Sequence, residues 1–171
     1  PKVDYNLIDG RSAVTGIGES VPYLRHLFSG IDSLPCKMGN TFRNLHVASI
    51  EEREEEVGLT DSFHTYRIEN WLPLNSRNYK DYCDAEGLIA RMVMLEKILT
   101  GNILSFAKGI GLFFDSKITC VIEDLHATGN MEYKGVGLMS FCATFKTNVR
   151  LPLWIGLGKS SSLNHGIITP I

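Results

Sequence analysis

The chain places one amphipathic helical stretch between a first extended run and two longer ones, then closes on a glycine-rich segment, and few folds accept that order. Phe63, Thr65, Arg67 and Glu69 alternate with His64, Tyr66 and Ile68, which predicts a half-buried strand leading to Trp71. Asn75 or Ser76 can cap a helical region reaching from about Tyr79 to Thr100, with Leu88, Met92, Leu95, Ile98 and Leu99 on one face and Gly101 as its end. A second short helix is expected over Ile103 to Lys108. Lys117 to Ala127 is rich in β-branched residues, Thr128-Gly129-Asn130 predicts a turn, and Met131 to Val149 predicts a long extended run. With a last strand around Ile167 the order is β-α-β-β-loop-β: a helix on a sheet, with the usual second helix reduced or replaced by a loop.

The first third has a related order. Val3, Tyr5 and Leu7 alternate before Asp9-Gly10, so residues 3 to 16 predict a β-hairpin. Ser20 can cap a helix with Pro22 in its first turn and Val21, Leu24, Leu27 and Phe28 at helical spacing, until Gly30 ends it. A loop with Pro35, Gly39 and Asn40 follows, and Leu45, Val47 and Ile50 predict a strand. This β-β-α-β order is the last four elements of a ferredoxin-like β-α-β-β-α-β domain, whose absent first strand would be central and leave backbone in need of a partner. Val57-Gly58 marks the boundary, giving a partial module over 1–58 and a second over 59–171.

The glycine-rich segment, Leu153-Trp-Ile-Gly156-Leu-Gly158-Lys159-Ser160-Ser161-Ser162-Leu163-Asn164-His165-Gly166-Ile167, is suited to lie against phosphate. Glycine lets backbone approach a ligand closely, serines supply hydroxyls, and Lys159 adds charge. Gly158-Lys159-Ser160 copies the end of a nucleotide-binding G-x-x-x-x-G-K-[ST] loop, but the leading position is Leu153 and no helix follows. Gly16-Ile-Gly18 fails as a dinucleotide fingerprint because its third glycine position is Val21 and Pro22 follows.

Charge distribution bears on the remaining choice of ligand. The net charge of −2 argues against a surface that grips nucleic acid all over, and Glu51 to Glu56 concentrates acids around Arg53. From Cys142 onward, however, Lys146, Arg150 and Lys159 stand without an Asp or Glu, which suits local RNA contact as well as ordinary solvated surface. Cys36, Cys83, Cys120 and Cys142 form no C-x-x-C pair and are expected as buried free thiols, while the five histidines, scattered too, form no H-x-x-x-H pair. No metal or other cofactor is expected. No run approaches a membrane span, the N-terminus lacks signal-peptide organisation, and 44% hydrophobic content suits a packed core, so a cytoplasmic protein is expected.

The glycine-rich segment with its final strand resembles the loop that closes the RAMP superfamily, and within it the CRISPR-associated endoribonucleases that cut precursor guide RNA at its repeats. Gly101-Asn102-Ile-Leu-Ser105-Phe106-Ala107-Lys108-Gly109-Ile110 and Phe145-Lys146-Thr147-Asn148-Val149-Arg150-Leu151-Pro152 resemble the C-terminal domain of one branch. Tyr5-Asn-Leu-Ile-Asp-Gly10-Arg-Ser-Ala13-Val-Thr-Gly16-Ile-Gly18-Glu19 resembles its N-terminal domain. The family loop usually ends Ser-x-Gly-aromatic-Gly. Here Asn164 replaces the glycine and His165 the aromatic, and Asn tolerates the positive φ of such a turn better than most residues.

The resemblance implies an α+β fold of tandem ferredoxin-like (RRM-like) modules, the first lacking its opening strand and helix. It implies binding of CRISPR repeat RNA and metal-independent cleavage that leaves a 2′,3′-cyclic phosphate, and it allows a homodimer or assembly with CRISPR effector subunits. The expected RNA contacts are Lys146, Arg150, Gly156, Gly158, Lys159, Ser160, Ser161, Ser162 and Gly166. The family's His/Tyr-bearing catalytic segment is expected before Pro1. Proton transfer in RNA cleavage suits His, Tyr or Lys, so His165 is the catalytic candidate, with Lys159, His46 and Tyr5 as the other donors. His165 is also suited to packing, His46 to a core or interface, and Tyr5 to sheet packing. The alternatives are a non-catalytic RNA-binding RAMP module, or a ferredoxin-like protein-interaction or small-ligand module with no nucleic acid partner.

Overall fold

A computed structural model describes residues 2–8, 10–133 and 136–171. The chain runs β1 (Lys2–Ile8), β2 (Arg11–Ile17), α1 (Val21–Phe28), β3 (Ser33–Met38), β4 (Thr41–His46), β5 (Gly58–Trp71), α2 (Ser76–Asp84), α3 (Gly87–Gly109), β6 (Cys120–Tyr133), β7 (Val136–Arg150) and β8 (Ile167–Thr169). The last four strands form one antiparallel sheet in the order β6-β7-β5-β8. Read from the other edge, this is the 4-1-3-2 order of a ferredoxin-like module. The segment between β7 and β8 is the glycine-rich loop, standing where a second helix would be.

Side-chain alternation puts Tyr66, Ile68, Ile122, Phe145 and Val149 on one sheet face, and α3 covers that face with Leu95, Leu99, Ile103 and Phe106, all buried. Each of those α3 side chains contributes roughly 1.5–3 kcal/mol by leaving water, so they are the main link between helix and sheet. Glu96 adds a polar one, its Oε1 accepting the Ile122 N–H at 3.0 Å.

Several expectations for this half are corrected. The helix does not end at Gly101, and no separate helix covers Ile103 to Lys108: α3 runs through, because burial of Leu99, Ile103 and Phe106 outweighs the weak helix propensity of one glycine. The break lies earlier, at Ala85 and Glu86, and leaves α2 as a separate helix capped by Asn75, whose side chain accepts from Arg77 and Asn78 N–H. Leu88, expected in the core, stands in the first turn of α3 and is 64% exposed. Thr128-Gly129-Asn130 is not a turn but part of β6, at an irregularity in the ladder between Ala127 and Gly129. Residues 134 and 135, inside the expected run from Met131 to Val149, lie outside the described residues. Cys120 is buried as expected, whereas Cys83 is exposed at the end of α2.

The first module is thinner. β1 and β2 pair as the expected hairpin, with Ile8 opposite Arg11 and Gly10 at φ +75°; Asp9 lies outside the described residues. The region around Pro35, Gly39 and Asn40 is not a loop: β3 and β4 form a second hairpin with Met38 opposite Thr41 and Gly39 at φ +62°. Pro35 is tolerated because a two-stranded ribbon consists only of edges. Val47 and Ile50 follow β4 rather than belonging to it. The two hairpins are separate sheets, and α1 buries none of its residues. Ser20 stands at the N-cap position but makes no cap: its buried hydroxyl lies 2.8 Å from Lys2 O and 2.9 Å from Ile17 O.

Candidate nucleic-acid interface

The glycine-rich loop is fixed on both sides. Toward the large sheet, Trp154 N–H donates to Ile168 O at 2.7 Å, Ile168 N–H to Ile155 O at 2.9 Å, and Leu157 N–H to Gly166 O at 2.8 Å. Toward the first module, Tyr5 N–H donates to Ser162 O at 3.1 Å and Leu7 N–H to Asn164 Oδ1 at 2.8 Å, so residues 162–164 extend the free edge of β1. Asn164 takes φ +64°, as expected for an Asn in the place of a glycine.

β1 faces the loop with its polar side, the reverse of what its alternation suggests. Tyr5 and Leu7 point outward, Tyr5 being 59% exposed, while Asp4 is 2% exposed and Asn6 is buried. The cause is the loop backbone, whose buried N–H and C=O groups need partners. Asp4 Oδ2 accepts Gly156 N–H at 3.2 Å, Lys2 Nζ donates to Gly156 O at 2.7 Å, and Asn6 Nδ2 donates to Trp154 O at 2.9 Å. Lys2 also lies 3.6 Å from Asp4 and 4.6 Å from the centre of the Phe106 ring. Burial lowers the Lys2 pKa, against the opposing pull of Asp4.

The glycines serve this docking. A Cβ on Gly156 would stand 2.5 Å from Ser161 O, and one on Gly158 would stand 2.7 Å from Asn102 Oδ1. That same oxygen accepts the Trp71 indole N–H at 2.9 Å. Gly166, at φ +65°, has Leu157 O where a Cβ would go. All three therefore face protein atoms. What the loop shows to solvent is chiefly Lys159, Ser162 and Leu163, with Ser160 and Ser161 half-buried between them, in a turn closed by Leu163 N–H on Ser160 O at 2.9 Å.

The three cations are not brought together. Lys146 and Arg150 lie on the sheet face opposite α3 and are neutralised, Lys146 by Glu123 at 2.6 Å and Arg150 by Glu56 at 2.6 Å. Residues distant in sequence thus remove the acid-free character of that stretch. Lys159 stands on the other side, near the start of α2 and beside Asn102, exposed and without an ion pair among the described residues. His165 is half-buried, with Nδ1 3.2 Å from Asn70 O. A carbonyl can only accept, so Nδ1 is the donor in this contact. His46 is not in the core: it is exposed at the end of β4, Nδ1 3.2 Å from Asp32 O. Sequence reasoning missed Lys2, Asp4 and Asn6, and the available signal was polar residues in phase along a strand that precedes a glycine-rich motif.

The Cas6b C-terminal domain profile matches residues 58–171, from the first residue of β5 to the end of the chain. This chain belongs to the Cas6b family. It is similar to the uncharacterised protein MJ0978 of Methanocaldococcus jannaschii, at 31% identity over 117 residues, which covers 67% of this chain and 77% of that one. Two solved structures share its fold. A crystal structure of Cas6b matches with TM-score 0.78 at 22% identity, covering 100% of this chain and 89% of the other. A crystal structure of the CRISPR RNA processing endoribonuclease Cas6b matches with TM-score 0.80 at 23% identity, covering 100% and 82%. The architecture is therefore the tandem ferredoxin-like fold of a CRISPR-associated Cas6b, and no helix among the described residues is long and apolar enough to cross a membrane.

Proposed function

We propose that the chain binds CRISPR repeat RNA at the turn from Lys159 to Ser162 and takes part in metal-independent cleavage of precursor guide RNA. The observation that carries this is the division of labour in the loop. Gly156, Gly158 and Gly166 rest on protein, while Lys159, without an ion pair among the described residues, stands exposed beside the half-buried Ser160 and Ser161 and the exposed Ser162. Such a turn suits the crowded anionic phosphate of a 2′-hydroxyl attack. Ser160, Ser161, Ser162 and Lys159 would hold that phosphate. Lys146 and Arg150 would contribute only after exchanging Glu123 and Glu56 for RNA. His165 would transfer the proton through Nε2.

A second reading, a non-catalytic RNA-binding module, is favoured by the tethering of His165 to the Asn70 carbonyl, which restrains an imidazole that must swing between substrate atoms. The assay is incubation of labelled repeat RNA in EDTA. A product ending in a 2′,3′-cyclic phosphate that disappears with His165→Ala supports cleavage, binding without product supports the second reading, and no binding in low salt refutes both.

A further inference from the structure

We propose that the cleft between the tip of the β1–β2 hairpin and the open face of β5 and β8 holds one unpaired RNA nucleotide, its base stacked on Trp154. The proposal rests on the RNA reading above and adds a site separate from the Lys159 turn. The cleft has a volume of about 390 Å³, near the lower end of the roughly 300–1,000 Å³ usual for small-ligand sites. It therefore has room for a nucleotide and none for a folded element of a partner.

Two independent features mark it. Of the four non-glycine residues with positive φ among the described residues, Asn70 (49°), Trp154 (65°) and Asn164 (64°) all line this cleft. For Trp a left-handed backbone is a true outlier, and such strain collects where function requires a fixed geometry. The surroundings over-determine it: Trp154 N–H is held by Ile168 O, and the buried Asn6 side chain is committed to Trp154 O. Second, Thr169 lines the same wall, and its buried Oγ1 has no hydrogen-bond partner among the described residues.

The lining chemistry fits a nucleotide. Trp154 offers an aromatic face. Arg67 engages Glu69 through Nε at 3.2 Å, leaving its terminal nitrogens for a phosphate, and the Asn70 amide and the Nδ2 of Asn164, whose Oδ1 is held by Leu7 N–H, can meet base edges. An apolar peptide would leave that guanidinium, carboxylate and both amides without use.

The test uses the full chain, a repeat RNA hairpin with single-stranded flanks, and indole fluorescence. Trp71 is fully buried, so quenching on RNA addition reports Trp154. Trp154→Gly relieves the positive φ and should keep the fold, checked by thermal unfolding, yet weaken binding by roughly 5- to 150-fold, the range for one base stacked on an aromatic. Trp154→Phe should retain most of the affinity. Arg67→Gln should lower the salt slope by about 0.7, one phosphate contact to a single strand. RNA that binds without quenching, at a Kd unchanged by Trp154→Gly, would assign the cleft to another occupant such as a protein segment and overturn the proposal while the RNA reading stands. Failure of the unaltered chain to bind RNA overturns both.

Discussion

Removing Asp4 tests how the loop is held. Asp4→Ala deletes the acceptor of Gly156 N–H and the counter-charge of Lys2, whose side chain is only 20% exposed. Breaking a buried pair costs about 3–5 kcal/mol. Lys2 retains the Gly156 carbonyl and the Phe106 ring, so the low end applies: about 3 kcal/mol, or roughly 6–12 °C in melting temperature for a chain of this size. Lys2→Met keeps the stem over Phe106 but leaves a carboxylate at 2% exposure, at about 2–3 kcal/mol. In the double variant no charge is buried, and the remaining cost is the unpartnered backbone N–H and C=O of Gly156. The single effects should therefore exceed the double by at least about 1 kcal/mol. Urea unfolding of all four proteins, followed by fluorescence, supplies the cycle. Additive single effects, within about 0.5 kcal/mol, would refute the coupled clamp.

The same clamp predicts a pH dependence. Burial lowers the Lys2 pKa below its unfolded value, so between the two values the unfolded chain binds more protons and stability rises with pH. The burial penalty is fully present at neutral pH and is relieved as pH climbs through the lowered pKa toward 10.5. Subtracting the stability–pH curve of Lys2→Met from that of the unaltered chain should show this rise; a flat difference would remove it. Gly158→Ala should destabilise by about 2 kcal/mol or more through the positive φ and the contact with Asn102, and an unchanged melting temperature would show that the loop does not rest there. Asn164→Ala should cost more than Asn164→Gly, since glycine keeps the φ of +64° at no cost while both lose the bond to Leu7 N–H; reversed order in thermal unfolding would refute the turn assignment.

The C-terminal fold was legible because its signals agree across scales. Tyr66 and Ile68 alternate, Leu95, Leu99 and Ile103 repeat at helical spacing, and both patterns turn toward one core. Gly101 and Gly129 misled because a propensity argument sees a breaker where tertiary packing carries an α-helix and a strand straight through. Tyr5 misled for the opposite reason: alternation of apolar residues normally marks a buried face, but β1 turns Asp4 and Asn6 inward to satisfy loop backbone. The loop glycines were readable as a motif, whereas their partners Asn102, Leu157 and Ser161 became visible only in three dimensions. The pairing of Lys146 with Glu123 and of Arg150 with Glu56 was likewise invisible to a charge count along the chain.

The most direct test of RNA binding at the loop is the salt dependence of affinity for a repeat RNA hairpin, measured for the unaltered chain and for Lys159→Ala. Affinity should fall linearly in log–log form as salt rises, and the variant should bind more weakly with a slope smaller by about 0.7–0.9, one phosphate contact. Its melting temperature should be unchanged, because Lys159 is exposed and unpaired among the described residues. Salt-independent binding, or a slope identical in the two proteins, would contradict a phosphate contact at the exposed turn.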